Sequence, residues 1–218
     1  MTSEPTGGFS EPTPPPPQGY PIHFEVQRPE HQSRLTNFPL TIGTIIRAIL
    51  AIPHFIILYF LQIVAGIVYF IATFAILFTG RYPRGMYDFY ASYLRWSYRV
   101  SCYVSHLYDD YPPFAFGATD YPLRLEADYP ERSSRLLNFP FLWFVIKGVL
   151  LIPHYIAIFF LTIAWLVILF ISLFAILFTG SFPAGMHGFG VGVLRWAARI
   201  TAYLYGLTDR YPPFSMSS

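Results

Sequence analysis

The sequence predicts an all-α integral membrane protein made of two tandem helical-hairpin repeats, and its composition and internal repetition are the observations that predict it. Hydrophobic residues make up 54% of the 218 residues and charged residues only 12%, and the mean hydropathy is +0.44. Residues 48–80 and 148–194 contain no Asp, Glu, Lys or Arg. Each stretch exceeds the roughly 20 apolar residues that a membrane-spanning helix needs. So little charge would not cover the surface of a soluble globule.

The two halves of the chain are copies of each other. The heptapeptide FAILFTG occupies residues 74–80 and again residues 174–180. From Leu50 to Phe114 the offset between the copies is a constant 100, and 32 of these 65 positions are identical. A long stretch that recurs at a fixed offset indicates a repeated structural unit.

The duplication divides the chain into five segments. Repeat 1 covers residues 20–114 and repeat 2 covers residues 121–214, with a linker at 115–120 between them. A short tail, 215–218, ends the chain. Residues 1–19 hold a run of four prolines among Ser, Thr, Gly and Glu, a composition that cannot bury apolar surface and that predicts a disordered tail.

Each repeat opens on a short segment in which apolar and polar residues alternate. These segments are residues 20–26 (YPIHFEV) and residues 121–127 (YPLRLEA). Alternation with a period of two is typical of a strand with one exposed face. We expect two short extended flaps in water.

A short apolar run that carries one cation follows each flap. Residues 40–52 contain Arg47, residues 141–152 contain Lys147, and a proline follows each run directly. Because proline breaks or kinks a helix at the preceding turn, each run is expected to form a separate interfacial or half-inserted helix. Arg47 and Lys147 are expected to reach lipid headgroups from these helices.

The long apolar stretches after these prolines are the best candidates for membrane spans. Residues 54–79 and 154–179 are uncharged and, as helices, long enough to cross the hydrocarbon layer. The return segments, residues 85–107 and 185–207, allow two interpretations, a second span or a helix that lies in the membrane interface. Two copies so alike are expected to insert in the same orientation. That requires an even number of crossings per repeat, so we favour four spans in total.

The distribution of Lys and Arg predicts how these spans are oriented. Eight of these residues lie on the side of the flaps, whereas Arg81 and Arg84 lie in the turn between the long apolar stretch and the return segment. Because short loops rich in Lys and Arg stay in the cytoplasm, we expect a multi-pass plasma-membrane protein with its flaps and both termini cytoplasmic.

Three sets of residues that recur in both repeats are candidate functional residues. The return segments each carry two arginines four residues apart, on one helix face, and guanidinium groups suit anionic headgroups, phosphates and carboxylates. Their alternative role is structural, in pairing with carboxylates or helix carbonyls. A histidine after each proline could ligate a metal or haem or bond to nearby backbone, and a tryptophan in each return segment suits the membrane interface. The anion- or lipid-binding candidates are Arg95, Arg99, Arg195, Arg199, Arg47 and Lys147, the metal or haem candidates are His54 and His154, and the interface anchors are Trp96 and Trp196.

The recurring motifs resemble those of a known family. Each copy has, in order, a Tyr-Pro flap, Ser-Arg, Ile-Pro-His, FAILFTG, Gly-Met, Leu-Arg-Trp and Tyr-Pro-Pro-Phe. This order, over residues 20–214, resembles the bacterial membrane-protein family labelled domain of unknown function 4389. The resemblance implies a bacterial plasma-membrane protein with the unit in tandem, and it implies no activity for any residue.

The sequence indicates a non-catalytic protein without a cofactor. It contains no Gly-x-Ser-x-Gly, phosphate-binding glycine loop, Cys-x-x-Cys or His-Glu-x-x-His motif, and no basic run that would track nucleic acid. We expect an accessory or scaffold membrane protein that contacts the bilayer, anionic lipids and either a membrane-protein partner or a second copy of itself. The alternative is a lipid- or small-solute-binding or transport protein that uses the paired arginines between the repeats.

Overall fold

Two long helices, two shorter helices and one two-stranded sheet make up the described part of the chain. The structure is a computed structural model, and it describes residues 19–39 and 42–217. Residues 1–18 of the predicted tail, the first two residues of the 40–52 run and the last residue of the chain lie outside the described residues. In chain order the elements are β1 (Ile22–Val26), α1 (Ile42–Thr79), α2 (Arg84–Val104), β2 (Leu123–Ala127), α3 (Trp143–Thr179) and α4 (Ala184–Leu204).

Each repeat contains one helical hairpin, α1 with α2 and α3 with α4, as the sequence predicts. The long helices end in the same way. Gly80 (φ 70°) and Gly180 (φ 74°) adopt the left-handed backbone conformation and donate their N–H groups to Ile76 and Ile176 at 2.7 Å. Glycine takes this conformation without a steric penalty. A proline three residues later precedes the next helix, so the chain reverses within a few residues.

The predicted break before each long helix is wrong. α1 runs unbroken through Pro53 and α3 through Pro153, so the segments 40–52 and 141–152 do not form separate half-inserted helices. A proline inside a helix leaves a carbonyl in the preceding turn without its usual donor. The tyrosine of each Tyr-Pro-Pro-Phe motif donates its hydroxyl to that turn, at 2.9 Å to the Leu50 carbonyl in repeat 1 and at 2.8 Å in repeat 2. The carbonyl that the proline leaves without a donor belongs to the residue four positions earlier, Ile49 or Val149, and the tyrosine binds the next carbonyl of the same turn.

The two flaps are strands, as their alternation predicts, and they pair with each other across the repeats. β1 and β2 are antiparallel, with Phe24 opposite Leu125 at the centre of the register. The inward face carries Ile22, Phe24, Leu123 and Leu125, all buried. Each strand packs on the last helix of the other repeat, β1 on α4 and β2 on α2. The repeats are therefore interlocked.

α2 and α4 lie between the sheet and the long helices. Tyr98 of α2 packs edge-on against Phe24 of β1, with ring centroids 5.5 Å apart. Trp96, two residues earlier and about 200° around the helix, donates to His54 of α1 at 3.1 Å. α4 has the same position in repeat 2, because it contacts β1 and its Trp196 donates to α3. The fold has three layers in the order sheet, α2 with α4, and α1 with α3.

Two of the four described helices are candidates for membrane spans. α1 and α3 are long and apolar enough to cross a bilayer, by length and composition, which agrees with the predicted apolar segments 54–79 and 154–179. α2 and α4 do not meet the same criterion, and each contacts the sheet on one side and a long helix on the other. The four-span arrangement favoured from the sequence is therefore supported for two helices and not for the other two.

Candidate functional site

The outward faces of α1 and α3 carry an exposed apolar surface. Only 22% of the most apolar 18-residue stretch of α1 is buried, and only 17% of that of α3. A core helix of a soluble protein would be mostly buried, and soluble monomers rarely expose apolar patches larger than a few hundred Å². The term "apolar surface" is used below for the exposed large apolar side chains of α1 and α3, such as Phe60 (62% exposed) and Phe160 (63% exposed).

Arg47 is buried inside repeat 1, so the prediction that it reaches lipid headgroups is wrong. The side chain has no exposed surface. Its guanidinium donates to the Asp109 carboxylate, to the side-chain oxygen of Asn37 at 2.9 Å and to the carbonyl of Tyr103 at 2.8 Å. Asp109 also accepts the backbone N–H of Ser33. A buried cation is stable only with this degree of pairing, and the pairing keeps Arg47 from lipid.

Lys147, the equivalent cation of repeat 2, is also buried and does not reach headgroups. Its ammonium donates to the side-chain oxygen of Asn138 at 2.8 Å and to the hydroxyl of Tyr69 at 3.3 Å, and it lies 3.8 Å from the Asp209 carboxylate. Tyr69 belongs to α1 of repeat 1 and donates to the same Asn138 oxygen at 2.6 Å. The polar cluster of repeat 2 is therefore completed by a side chain from repeat 1.

In the polar cluster of repeat 1, His106 takes the place that Tyr69 takes in the cluster of repeat 2. Its Nδ1 lies 2.8 Å from the side-chain oxygen of Asn37, which can only accept, so Nδ1 carries the proton. Its Nε2, 3.1 Å from the Thr44 hydroxyl, is then the acceptor. Burial and the nearby Arg47 guanidinium lower the pKa of His106 to about 3. The imidazole is neutral at physiological pH.

We expect His106 to make the protein less stable in acid. Its folded pKa of about 3 lies below the unfolded value of about 6.5, so the unfolded chain binds the proton first as pH falls. The stabilisation is complete above about pH 6.5 and is lost progressively below it, by about 2 kcal/mol at pH 5. Thermal unfolding of the detergent-purified protein at pH 7.5 and pH 5, for wild type and His106→Asn, measures this. Asparagine tolerates the positive φ of 59°, and an equal acid sensitivity of the two proteins would contradict the assignment.

Arg95 and Arg195 each connect a helix to a strand of the other repeat. Arg95 donates to the carbonyl of Leu125 at 3.0 Å, and Arg195 donates to the carbonyl of Phe24 at 2.8 Å. Both guanidinium groups therefore hold backbone of this chain, in a structural role. Their predicted binding of an anion or lipid stays a prediction.

Arg99 and Arg199 hold the segment that follows each Tyr-Pro-Pro-Phe motif. Arg99 donates to the carbonyl of Ala115 at 2.9 Å, and Arg199 donates to the carbonyl of Ser215 at 3.2 Å. The Nε–H of each arginine is buried and has no partner in the described part of the chain. Each arginine thus keeps one buried donor without an acceptor.

A cavity of about 360 Å³ lies beside Arg95 and Arg99, between α2 and β2. Arg124 also lines it, together with Asp120 and Glu126. Arg124 and Glu126 bond to each other at 3.0 Å, so part of the positive charge is already neutralised. The cavity has an excess of one positive charge from three arginines and two carboxylates.

His54 and His154 lie in separate aromatic clusters and do not face each other. Trp96 donates to Nδ1 of His54 at 3.1 Å and Phe114 stacks on the imidazole at 3.9 Å, and repeat 2 has the same contacts at 3.0 and 4.0 Å. Within the described residues, no three or more His, Cys, Asp or Glu side chains are grouped to hold a metal.

Trp96 is 6% exposed and Trp196 is 7% exposed. The prediction that they are interface anchors is wrong, because their indole N–H groups bind the buried histidines.

The sequence analysis missed the residues that pair the two buried cations. These are Asn37 with Asp109 in repeat 1 and Asn138 with Asp209 in repeat 2. The signal was present, because the asparagine, the aspartate and a cation recur in both copies. The sequence analysis expects carboxylates to be possible partners of the arginines in the return segments, and these arginines instead bind carbonyls.

One family model matches the chain twice. The model described as Domain of unknown function (DUF4389) matches residues 42–115 and 142–216. The two matched segments begin at or just before the long helices and extend past the Tyr-Pro-Pro-Phe motifs, and they confirm the predicted duplication. No curated protein and no solved structure matches the chain.

Proposed function

The chain belongs to the family described as Domain of unknown function (DUF4389), and on this premise we propose that it is a non-catalytic membrane protein whose helices α1 and α3 embed in a lipid bilayer. The apolar surface is the observation that carries the proposal. Large apolar side chains on α1 and α3 are about half exposed, and full burial of such a side chain contributes about 1.5–3 kcal/mol. Acyl chains are the environment that would cover so many of them at once.

The proposed role within the membrane is that of an accessory or scaffold protein. The buried ionisable side chains support it, because Arg47, Lys147 and His106 use their donors and acceptors on groups of this chain. A membrane-protein partner or a second copy is the proposed protein partner. The bacterial plasma membrane is the proposed location, with flaps and termini on the cytoplasmic side where Lys and Arg concentrate. Four spans are not part of the proposal, since α2 and α4 form the middle layer.

Binding of an anionic lipid or small solute is the alternative function. The cavity beside Arg95 and Arg99 favours it. Asp120 and Glu126 in the same cavity weaken it, because they repel an anion. Arg95 and Arg99 also donate hydrogen bonds to carbonyls of the chain itself. We therefore rank this function second.

The wild-type protein is expected to remain in membranes washed with alkaline carbonate and to be released by detergent. The double variant Phe60→Glu with Phe160→Glu is expected to show a lower carbonate-resistant fraction. Each glutamate would be placed among acyl chains, where a charged side chain costs roughly 2.5–3.5 kcal/mol or more. Quantifying the protein in the pellet and the supernatant measures the effect.

The matched control for this experiment is Leu35→Glu with Leu136→Glu. Both leucines are 71% exposed but lie outside the long helices, so the control adds the same charge away from the apolar surface. It is expected to fractionate like wild type. A wild-type protein that is soluble without detergent, for example because a second copy covers the apolar surface, would count against the proposal. Equal behaviour of the two double variants would also count against it.

A further inference from the structure

A pseudo-twofold axis relates the two repeats and passes through the sheet. Phe24 and Leu125 occupy equivalent positions in the two copies, and they are direct partners in the strand register. The contacts of Arg95 with Leu125 and of Arg195 with Phe24 form a matched pair under the same axis. Equivalent antiparallel strands are related by a twofold axis perpendicular to their sheet. The axis therefore runs through all three layers of the fold.

The molecule is polar at one end of this axis and apolar at the other. The outer face of the sheet presents Glu25, Arg124 and Glu126, all exposed. The outward faces of α1 and α3, in the layer farthest from the sheet, carry the apolar surface. In a membrane this polarity places the axis along the membrane normal, with the sheet in water.

The end of α3 lies beside the start of α1. Gln32 donates its backbone N–H to the carbonyl of Gly180, directly after α3, at 2.8 Å. The next residue, Ser33, donates to Asp109, which pairs with Arg47 in the second turn of α1. Two neighbouring residues thus contact both helix ends.

The end of α1 lies beside the start of α3 in the same way. Ser133 donates its backbone N–H to the carbonyl of Gly80 at 2.9 Å. The next residue, Ser134, donates to Asp209 at 2.5 Å, close to Lys147 in α3. The pseudo-twofold axis exchanges these two meeting points.

From this arrangement we infer that α1 and α3 enter and leave the bilayer on the same side, so that the protein is embedded from one face only. The inference rests on the proposed function. An axis along the membrane normal keeps equivalent points at equal depth, and the end of α1 is equivalent to the end of α3. The end of α3 lies beside the start of α1, so both ends of α1 lie at one depth. Neither long helix crosses the membrane.

The alternative is an axis in the plane of the membrane, with α1 and α3 crossing in opposite directions. The sheet on the axis would then lie at mid-bilayer. Glu25, Arg124 and Glu126 would be placed in or near the hydrocarbon layer, where charged side chains are rare and costly. The one-sided arrangement avoids this cost.

The cations at the helix ends and the helix lengths agree with the one-sided arrangement. Arg34 lies against Gly180 and Arg135 against Gly80, so cations mark both meeting points, where headgroups of a single surface would lie. α1 has 38 residues, which is about 57 Å of helix and nearly twice the roughly 30 Å hydrocarbon layer. A helix of this length with both ends at one depth lies along the surface or curves into the layer and back. Pro53 and Pro153 are positions at which a long helix can bend.

Cysteine labelling from the two sides of the membrane tests the inference. In a Cys102→Ala background, which removes the single native cysteine, Leu35→Cys reports the start of α1 and Arg81→Cys its end. Both positions are exposed. A membrane-impermeant maleimide is added to sealed vesicles of each orientation. Both cysteines are expected to react in one orientation and to lose their reactivity in the other, and detergent is expected to restore it. Leu136→Cys and Ser181→Cys provide the same test for α3.

Labelling of Leu35→Cys and Arg81→Cys in opposite vesicle orientations overturns the inference and leaves the membrane proposal intact. Gln62→Cys, at an exposed position in the middle of α1, distinguishes the two failures. It is expected to resist the maleimide in both orientations until detergent is added. Its reaction in intact vesicles would mean that α1 is not in lipid, which contradicts the proposed function itself. If Leu35→Cys is recovered in native yield but aggregates in detergent, Glu25→Cys on the outer sheet face replaces it. Glu25→Cys is then compared with Arg81→Cys in the same way.

Discussion

Asp109→Ala is expected to lower the free energy of unfolding by about 3–5 kcal/mol, the cost of removing one partner of a buried ion pair. The variant leaves the guanidinium of Arg47 buried without its counter-charge and frees the donors of Asn37 and Ser33. Urea or thermal unfolding of the detergent-purified protein, followed by loss of helical circular dichroism, measures the change.

Two controls make the Asp109 experiment specific. Asp110→Ala changes the adjacent exposed carboxylate, and a surface change of this kind is expected to alter stability by no more than about 0.5 kcal/mol. Asp209→Ala is expected to have a smaller effect than Asp109→Ala, because Lys147 lies 3.8 Å from the Asp209 carboxylate, whereas Arg47 donates a hydrogen bond directly to Asp109. If Asp109→Ala and Asp110→Ala unfold alike, the buried ion pair is not a main source of stability.

Gly206→His is expected to destabilise the protein by about 2–4 kcal/mol, and Tyr69→Leu is expected to restore much of that loss. Gly206 (φ +72°) is the repeat-2 equivalent of His106, and a Cβ built on it would lie 2.7 Å from the Tyr69 ring. Tyr69 occupies, in repeat 2, the place that the His106 ring takes in repeat 1, because both side chains bond to the cluster asparagine. Repeat 2 has Leu169 where repeat 1 has Tyr69.

A double-mutant cycle over Gly206→His and Tyr69→Leu measures this coupling. Tyr69→Leu alone removes a buried hydrogen bond to Asn138 and is expected to cost about 1–3 kcal/mol. The double variant rebuilds the repeat-1 arrangement in repeat 2, so its stability is expected to exceed the additive value by more than 1 kcal/mol. Additive losses would show that the histidine and the tyrosine do not occupy equivalent space.

A second exchange of large and small side chains follows the same principle. Repeat 1 has Ala65 in α1 and Tyr90 in α2 at the positions where repeat 2 has Trp165 and Gly190. A Cβ on Gly190 would lie 2.3 Å from the Trp165 ring. The divergence between the copies is therefore partly compensated packing, and it does not by itself indicate two different functions.

The elements that depend on local pattern could be predicted from the sequence. The alternation in residues 20–26 and 121–127 predicted the strands at 22–26 and 123–127, and the uncharged segments predicted the apolar stretches of α1 and α3. The predictions that the structure contradicts share one cause, because partners distant in sequence changed the conformation or the burial of the residues concerned. The Tyr111 hydroxyl, 61 residues away from Leu50, supports the turn before Pro53, and no local rule for proline includes such a contact.

The candidate site was only partly predictable for the same reason. Arg47 in an apolar run looks like a cation that reaches toward headgroups, until Asp109, 62 residues later, is known to lie beside it. Trp96 looks like an interface anchor until His54, 42 residues earlier, is seen to accept its N–H. Burial depends on which segments meet, and side-chain type alone does not reveal it.

By itself the sequence determined the duplication, the family, the long apolar segments after the prolines and the two strands, because repetition, composition and periodicity can be recognised along the chain without knowledge of any contact. Only the tertiary structure decided that β1 packs on α4 and β2 on α2, and that Arg47 and Lys147 are buried. It also decided that the end of each long helix lies beside the start of the other. These features arise from contacts between segments that are distant in sequence, whose geometry the physical pattern of either copy does not contain.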